Sequence, residues 1–191
     1  FKKVNLNLTK KFDICLISEP DLRDLEDYQR NIGLLADFAI QYCNKNQKSL
    51  IFAGKSDLSN FNEQEAEKQF YKVNSESKNL KIKFQDKSKF ESYKNVAESK
   101  VMISTGSSML REAMHFNTKV LACRFVEGDD YFLPTKEINY IPKCSYENFE
   151  KKLNTLLSMS YSTYLEEAGN LTYLYNNKID GLKKINQIID I

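Results

Sequence analysis

Residues 100–125 read KVMISTGSSMLREAMHFNTKVLACRF, and the class of fold is decided here. KVMIS, residues 100–104, is a short apolar run closed by the polar turn Thr105, Gly106, Ser107 and Ser108, as expected of a buried strand. Residues 109–116 resume helical spacing, and KVLACRF, residues 119–125, is a second buried run. Between them Asn117 stands where the chain must leave the helix, and asparagine tolerates the left-handed conformation that a helix end often needs. Strand, turn, helix and strand in so short a span make one repeat of a parallel α/β sheet.

Reading outward, the same alternation recurs upstream. DICLIS, residues 13–18, is an apolar run ended by Glu19 and Pro20, which suits a buried strand. Residues 28–43 place Tyr28, Ile32, Leu35, Ala39, Tyr42 and Cys43 at helical spacing, with Asp24 or Asp27 near the start. SLIFAG, residues 49–54, is a second strand before a polar loop over 55–60. Residues 61–73 predict an amphipathic helix with Phe61, Ala66, Phe70 and Val73 on or near one face. LKIKF, residues 80–84, alternates and predicts a half-exposed strand near the sheet edge, and residues 90–98 predict a short helix. Five strands alternating with helices predict a parallel sheet covered on both faces. Downstream, residues 126–142 read as loop with a short strand at 138–141, then helices over 146–159 and 161–175 and a helical tail over 178–191. With no repeat and no shift in composition, residues 1–191 are read as one domain.

Composition narrows the function classes. A chain of 191 residues that is 41% hydrophobic can build a core, and 28 basic against 26 acidic side chains, interspersed, give no basic patch for nucleic acid or an anionic membrane. No apolar run reaches the ~18 residues of a membrane span, and the opening FKKVNLNLTKKF lacks the apolar centre of a signal peptide. A cytoplasmic protein is the expectation, with at most peripheral contact at the inner membrane surface. Cys15, Cys43, Cys123 and Cys144 are far apart and read as core thiols. Glu127, Asp129 and Asp130 form an acidic loop that either binds a divalent cation or is a solvated turn; the turn is the expectation, with no metal and no cofactor.

In an open parallel sheet ligands sit beyond the carboxyl ends of the strands. The turn at Thr105 to Ser108 combines a glycine, which lets a ligand approach the backbone, with hydroxyls and the free N–H groups of a helix start, a set suited to phosphate. Glu112 follows Ser108 by one helical turn, where a carboxylate can accept from a ribose diol. The alternative is that Ser107 or Ser108 only caps the helix and Glu112 is solvated. Neither a P-loop nor a G-x-G-x-x-G fingerprint is present. Other candidates are Arg111, which can neutralise phosphate or lie on a solvated face, Lys55 beyond the second strand, and Ser18 with Glu19, which close the first strand either against a ligand or only as a turn before Pro20. His115 lies more than a turn into its helix and reads as structural. No catalytic residue is singled out.

The run from Glu91 to Cys123, ESYKNVAESKVMISTGSSMLREAMHFNTKVLAC, resembles the donor-binding signature of GT-B glycosyltransferases, especially bacterial enzymes that build capsule, lipopolysaccharide or other surface carbohydrate. The shared pattern is a helix, a strand, a G-S-S/T turn, a helix carrying Glu-Ala, and a strand. The resemblance implies a Rossmann-like donor-binding domain in which Gly106, Ser107 and Ser108 hold the phosphates of a nucleotide-activated sugar and Glu112 holds the ribose, with no metal required. Where the family often has Gly-Lys-Pro after the Glu-Ala helix, this chain has Asn117, Thr118 and Lys119. A whole GT-B enzyme has two Rossmann-like halves, so a chain of this length beginning at Phe1 is expected to be the C-terminal half of a longer enzyme. The glycan or glycolipid acceptor and any general base would then belong to an upstream half. A nucleotide-sugar epimerase of related fold and a non-catalytic α/β interaction module are the competing readings.

Overall fold

The apolar runs become strands and the periodic stretches become helices in the computed structural model, which describes residues 9–19, 26–77, 81–125 and 136–168. The strands are β1 (Phe12–Ile17), β2 (Leu50–Asp57), β3 (Lys83–Gln85), β4 (Ser99–Ser104), β5 (Lys119–Cys123) and β6 (Tyr140–Ile141). The helices are α1 (Glu26–Asn46), α2 (Phe61–Asn74), α3 (Glu91–Ala97), α4 (Met109–Glu112), α5 (Tyr146–Ser158) and α6 (Tyr161–Ala168). All strands pair in parallel, in the order β3-β2-β1-β4-β5-β6, with helices over both faces. This is a Rossmann-like α/β fold. The chain winds outward from β1 to β3, then returns to β4 on the other side of β1 and winds outward again, so the strand order reverses between β1 and β4.

The core follows from the apolar spacing. Ile32, Leu35, Ala39, Tyr42 and Cys43 of α1 are all buried, and Phe38 packs its ring against Tyr146 and Phe149 of α5. α1 also meets the end of α2, where the backbone passes so close that a Cβ on Gly33 would lie 1.7 Å from the Asn74 carbonyl oxygen. Cys15, Cys43 and Cys123 are buried as free thiols, and Cys144 is half-buried. No described helix is long and apolar enough to cross a membrane.

Four local expectations change. β2 runs on to Asp57, so Lys55 belongs to a strand and not to the loop beyond it; Leu58 still donates its N–H to Gln85 O at 2.8 Å, which keeps this end of β2 against β3. β3 is indeed at the edge, but it starts at Lys83 and is only three residues long. The helix after the β4 turn is one α turn followed by a 3-10 segment, Ala113–Phe116. That winding ends at Asn117 with φ 54° and lets the buried Thr118 hydroxyl donate to Val96 O at 2.8 Å. On α2, Phe61 and Val73 are 69% and 68% exposed, and Glu67, Phe70 and Tyr71 form the buried face. The acidic loop at Glu127, Asp129 and Asp130, the second half of the 161–175 helix and the 178–191 tail lie outside the described residues.

At the amino ends of the strands, lysines cap helices. Lys10 Nζ donates to Ala97 O at 2.8 Å, Phe116 O at 3.1 Å and Thr118 Oγ1 at 2.9 Å, so one ammonium closes both α3 and the 3-10 segment. Lys119 Nζ does the same for α5 through Leu156 O and, at 2.6 Å, Met159 O. Burial, with repulsion from Lys119, pushes the Lys10 ammonium down to about 8. In the unfolded chain a lysine titrates near 10.4, so between these values the unfolded state holds more protons and the Lys10 contribution to stability rises with pH. Urea unfolding of the natural chain and of Lys10→Met from about pH 7 to 10 should show the stability difference moving in favour of the natural chain as pH rises. A difference independent of pH would remove this assignment.

Candidate functional site

Two carboxylates organise the carboxyl edge of the sheet beside the point where strand order reverses. The first is Glu67 on α2, 2% exposed. Its Oε1 accepts from the Ser18 hydroxyl and from Lys55 N at 2.8 Å, and its Oε2 accepts from Ser56 N at 2.8 Å and Ser56 Oγ at 2.5 Å. The Tyr71 hydroxyl lies 3.0 Å from Ser18 Oγ and accepts from Glu19 N at 3.3 Å. Burial pushes the Tyr71 phenol up. One helix thus ties together the ends of β1 and β2, and the buried charge is matched by donors on both oxygens.

The second carboxylate is Glu19, which follows Ser18 and is held by the turn after β4. Its Oε2 accepts from Ser104 Oγ at 2.7 Å, Thr105 Oγ1 at 2.9 Å, Thr105 N at 3.1 Å and Gly106 N at 3.2 Å. No other described residue bonds the Glu19 carboxylate. Burial pushes its acidity toward higher pH, against the pull of these donors. Ser104 Oγ in turn accepts from Gly106 N at 3.1 Å and Ser107 N at 2.8 Å, so successive amides of the turn face inward. Such a concavity of N–H and O–H groups is built for an oxyanion.

The candidate residues therefore separate. Thr105 is buried and Gly106 exposed, and both serve the Glu19 oxygen. Ser107 Oγ accepts from Met109 N at 3.3 Å, an ordinary capping contact, whereas Ser108 is exposed and makes no side-chain cap bond. Ser18 is buried and spends its hydroxyl on Glu67 and Tyr71. Lys55 places its amide on Glu67 while its side chain is exposed. Arg111 is half-buried on α4. Glu112 neighbours Tyr93 of α3: burial and this carboxylate push the Tyr93 phenol up to about 12, and Glu112 Oε2 is shielded from solvent with no hydrogen-bond partner. The sequence offers Glu19, together with Ser18, either as a ligand contact at the end of the first strand or as a turn before Pro20, and it does not single out Glu67.

No family model and no curated protein matches the sequence. The fold does find a counterpart. A crystal structure of TarM, a glycosyltransferase, matches with a TM-score of 0.51 at 14% identity, over 97% of this chain and 36% of TarM. At that identity the likeness is one of fold, and the chain spans 36% of TarM's length.

The Glu67 clamp is testable without a ligand. In Glu67→Gln one oxygen becomes an amide donor facing N–H and O–H groups that already donate, which should cost about 2 to 3 kcal/mol of stability. Denaturant titration measures it, and a loss below about 0.5 kcal/mol would mean that the clamp contributes little.

Proposed function

We propose that this chain is the nucleotide-sugar-binding half of a glycosyltransferase of the kind that builds surface carbohydrate. The observation that carries the reading is the ring of donors from Ser104, Thr105 and Gly106 converging on one carboxylate oxygen beside the strand reversal between β1 and β4. Open α/β sheets bind their ligands at that reversal. The likeness in fold to a glycosyltransferase and the G-S-S turn with its following Glu-Ala helix support the same assignment. In this reading the turn receives the donor phosphates, with Ser107 and Ser108 adding hydroxyls and Arg111 and Lys55 charge. When the bond from the sugar's anomeric carbon to the phosphate oxygen breaks, negative charge grows on the departing nucleotide, and fixed N–H donors stabilise it without having to reorganise. Glu112, whose Oε2 lacks a partner, supplies unused acceptor capacity for a ribose diol.

Calorimetric titration with UDP, GDP, CDP and CMP sugars tests the reading, and a flat response to all of them would favour a module in which Ser107 simply caps α4. Turnover of a bound nucleotide sugar to an altered one, with no acceptor present, would favour an epimerase. For Glu112→Gln the expected loss for the ribonucleotide is about tenfold or more, with a smaller loss for the 2′-deoxynucleotide. The four measurements form a cycle, and zero coupling between hydroxyl and carboxylate would remove Glu112 from the ribose site.

A further inference from the structure

We propose that Glu19 is a displaceable internal ligand of the donor cradle: its carboxylate occupies the oxyanion position in the empty chain and is exchanged for a phosphate oxygen when a nucleotide sugar binds. The inference rests on the reading above and adds to it a competition within the chain.

Three observations carry it. All four donors from the β4 turn end on a single Glu19 oxygen, so the position best furnished for an anion is already filled. The occupant comes from the end of β1, a different strand from the turn it fills, and the two meet across the reversal of strand order. No described residue outside the turn bonds this carboxylate, in contrast to Glu67, which is fastened through both oxygens to the ends of β1 and β2. Glu67 is built as a permanent brace, whereas every described group that holds the Glu19 carboxylate is one that a phosphate can also use.

The physical consequence is a shift of populations. A phosphate oxygen and a carboxylate oxygen cannot share the same donors, and two like charges at contact distance repel. The chain that accepts phosphate is the fraction with Glu19 withdrawn, and the observed affinity is the intrinsic one reduced by that fraction. While the cradle is empty, the carboxylate gives an acceptor to the buried Ser104 and Thr105 hydroxyls and to the Thr105 amide. It therefore keeps the turn in its binding shape and sets a threshold for occupancy.

The test uses the chain as it is, with calorimetry against inorganic pyrophosphate and the panel of nucleotide sugars. Glu19→Gln removes the charge at nearly constant shape, and Glu19→Ala empties the position; each should tighten binding of pyrophosphate and of whichever nucleotide sugar binds by about tenfold or more. Circular dichroism establishes that both variants are folded, and if the alanine variant is not, the glutamine variant decides. Should the natural chain bind a nucleotide sugar that neither variant binds more tightly, the displacement idea falls while the donor-site reading stands. If the natural chain and both variants bind neither pyrophosphate nor any nucleotide sugar, both fall together.

Discussion

Glu67 places a carboxylate inside the protein where helix α2 meets the ends of β1 and β2, and the candidate site depends on its being satisfied there. An ionised carboxylate taken from water is costly unless its oxygens are fully hydrogen-bonded. The chain meets that demand with two serine hydroxyls and two backbone amides, from Ser18, Lys55 and Ser56. Those bonds fix where β1 stops. Glu19 is the next residue, so its reach toward the β4 turn is set by the same clamp, and the inward orientation of the Thr105 and Gly106 amides follows from Glu19 and Ser104 together.

Much of the architecture was legible because burial leaves a periodic trace. α1 shows this well: the residues spaced for one face are the ones found inside, and the helix end at Asn117 adopts the left-handed backbone that asparagine tolerates. α2 misled the same reasoning. Periodicity treats glutamate as a surface residue, and Glu67 is inside because of partners contributed by two strands outside its helix, which no local window contains. Glu19 illustrates the point over a longer range. Its donors lie 85 to 87 positions away, so its place in the cradle is a product of strand order, and alternation of strands and helices does not by itself specify that order.

The fold and the site carry different weight. A parallel sheet of order β3-β2-β1-β4-β5-β6 supports many chemistries, and matching 36% of TarM's length at 14% identity conveys architecture. What distinguishes this chain is local chemistry at the strand reversal. There an acidic side chain from one loop completes the hydrogen bonding of another, and Glu112 retains an acceptor atom that the protein leaves unused.

The taper of the sheet has a bearing on how the protein behaves in company. Its outermost strands, β3 and β6, are three and two residues long, whereas β2, inside, has eight. A long, flat outer strand offers a row of unpaired amides and carbonyls onto which a neighbouring molecule can add, the usual start of fibrillar growth. Among the described residues each margin presents only a short row, and a short row is a poor template for another chain.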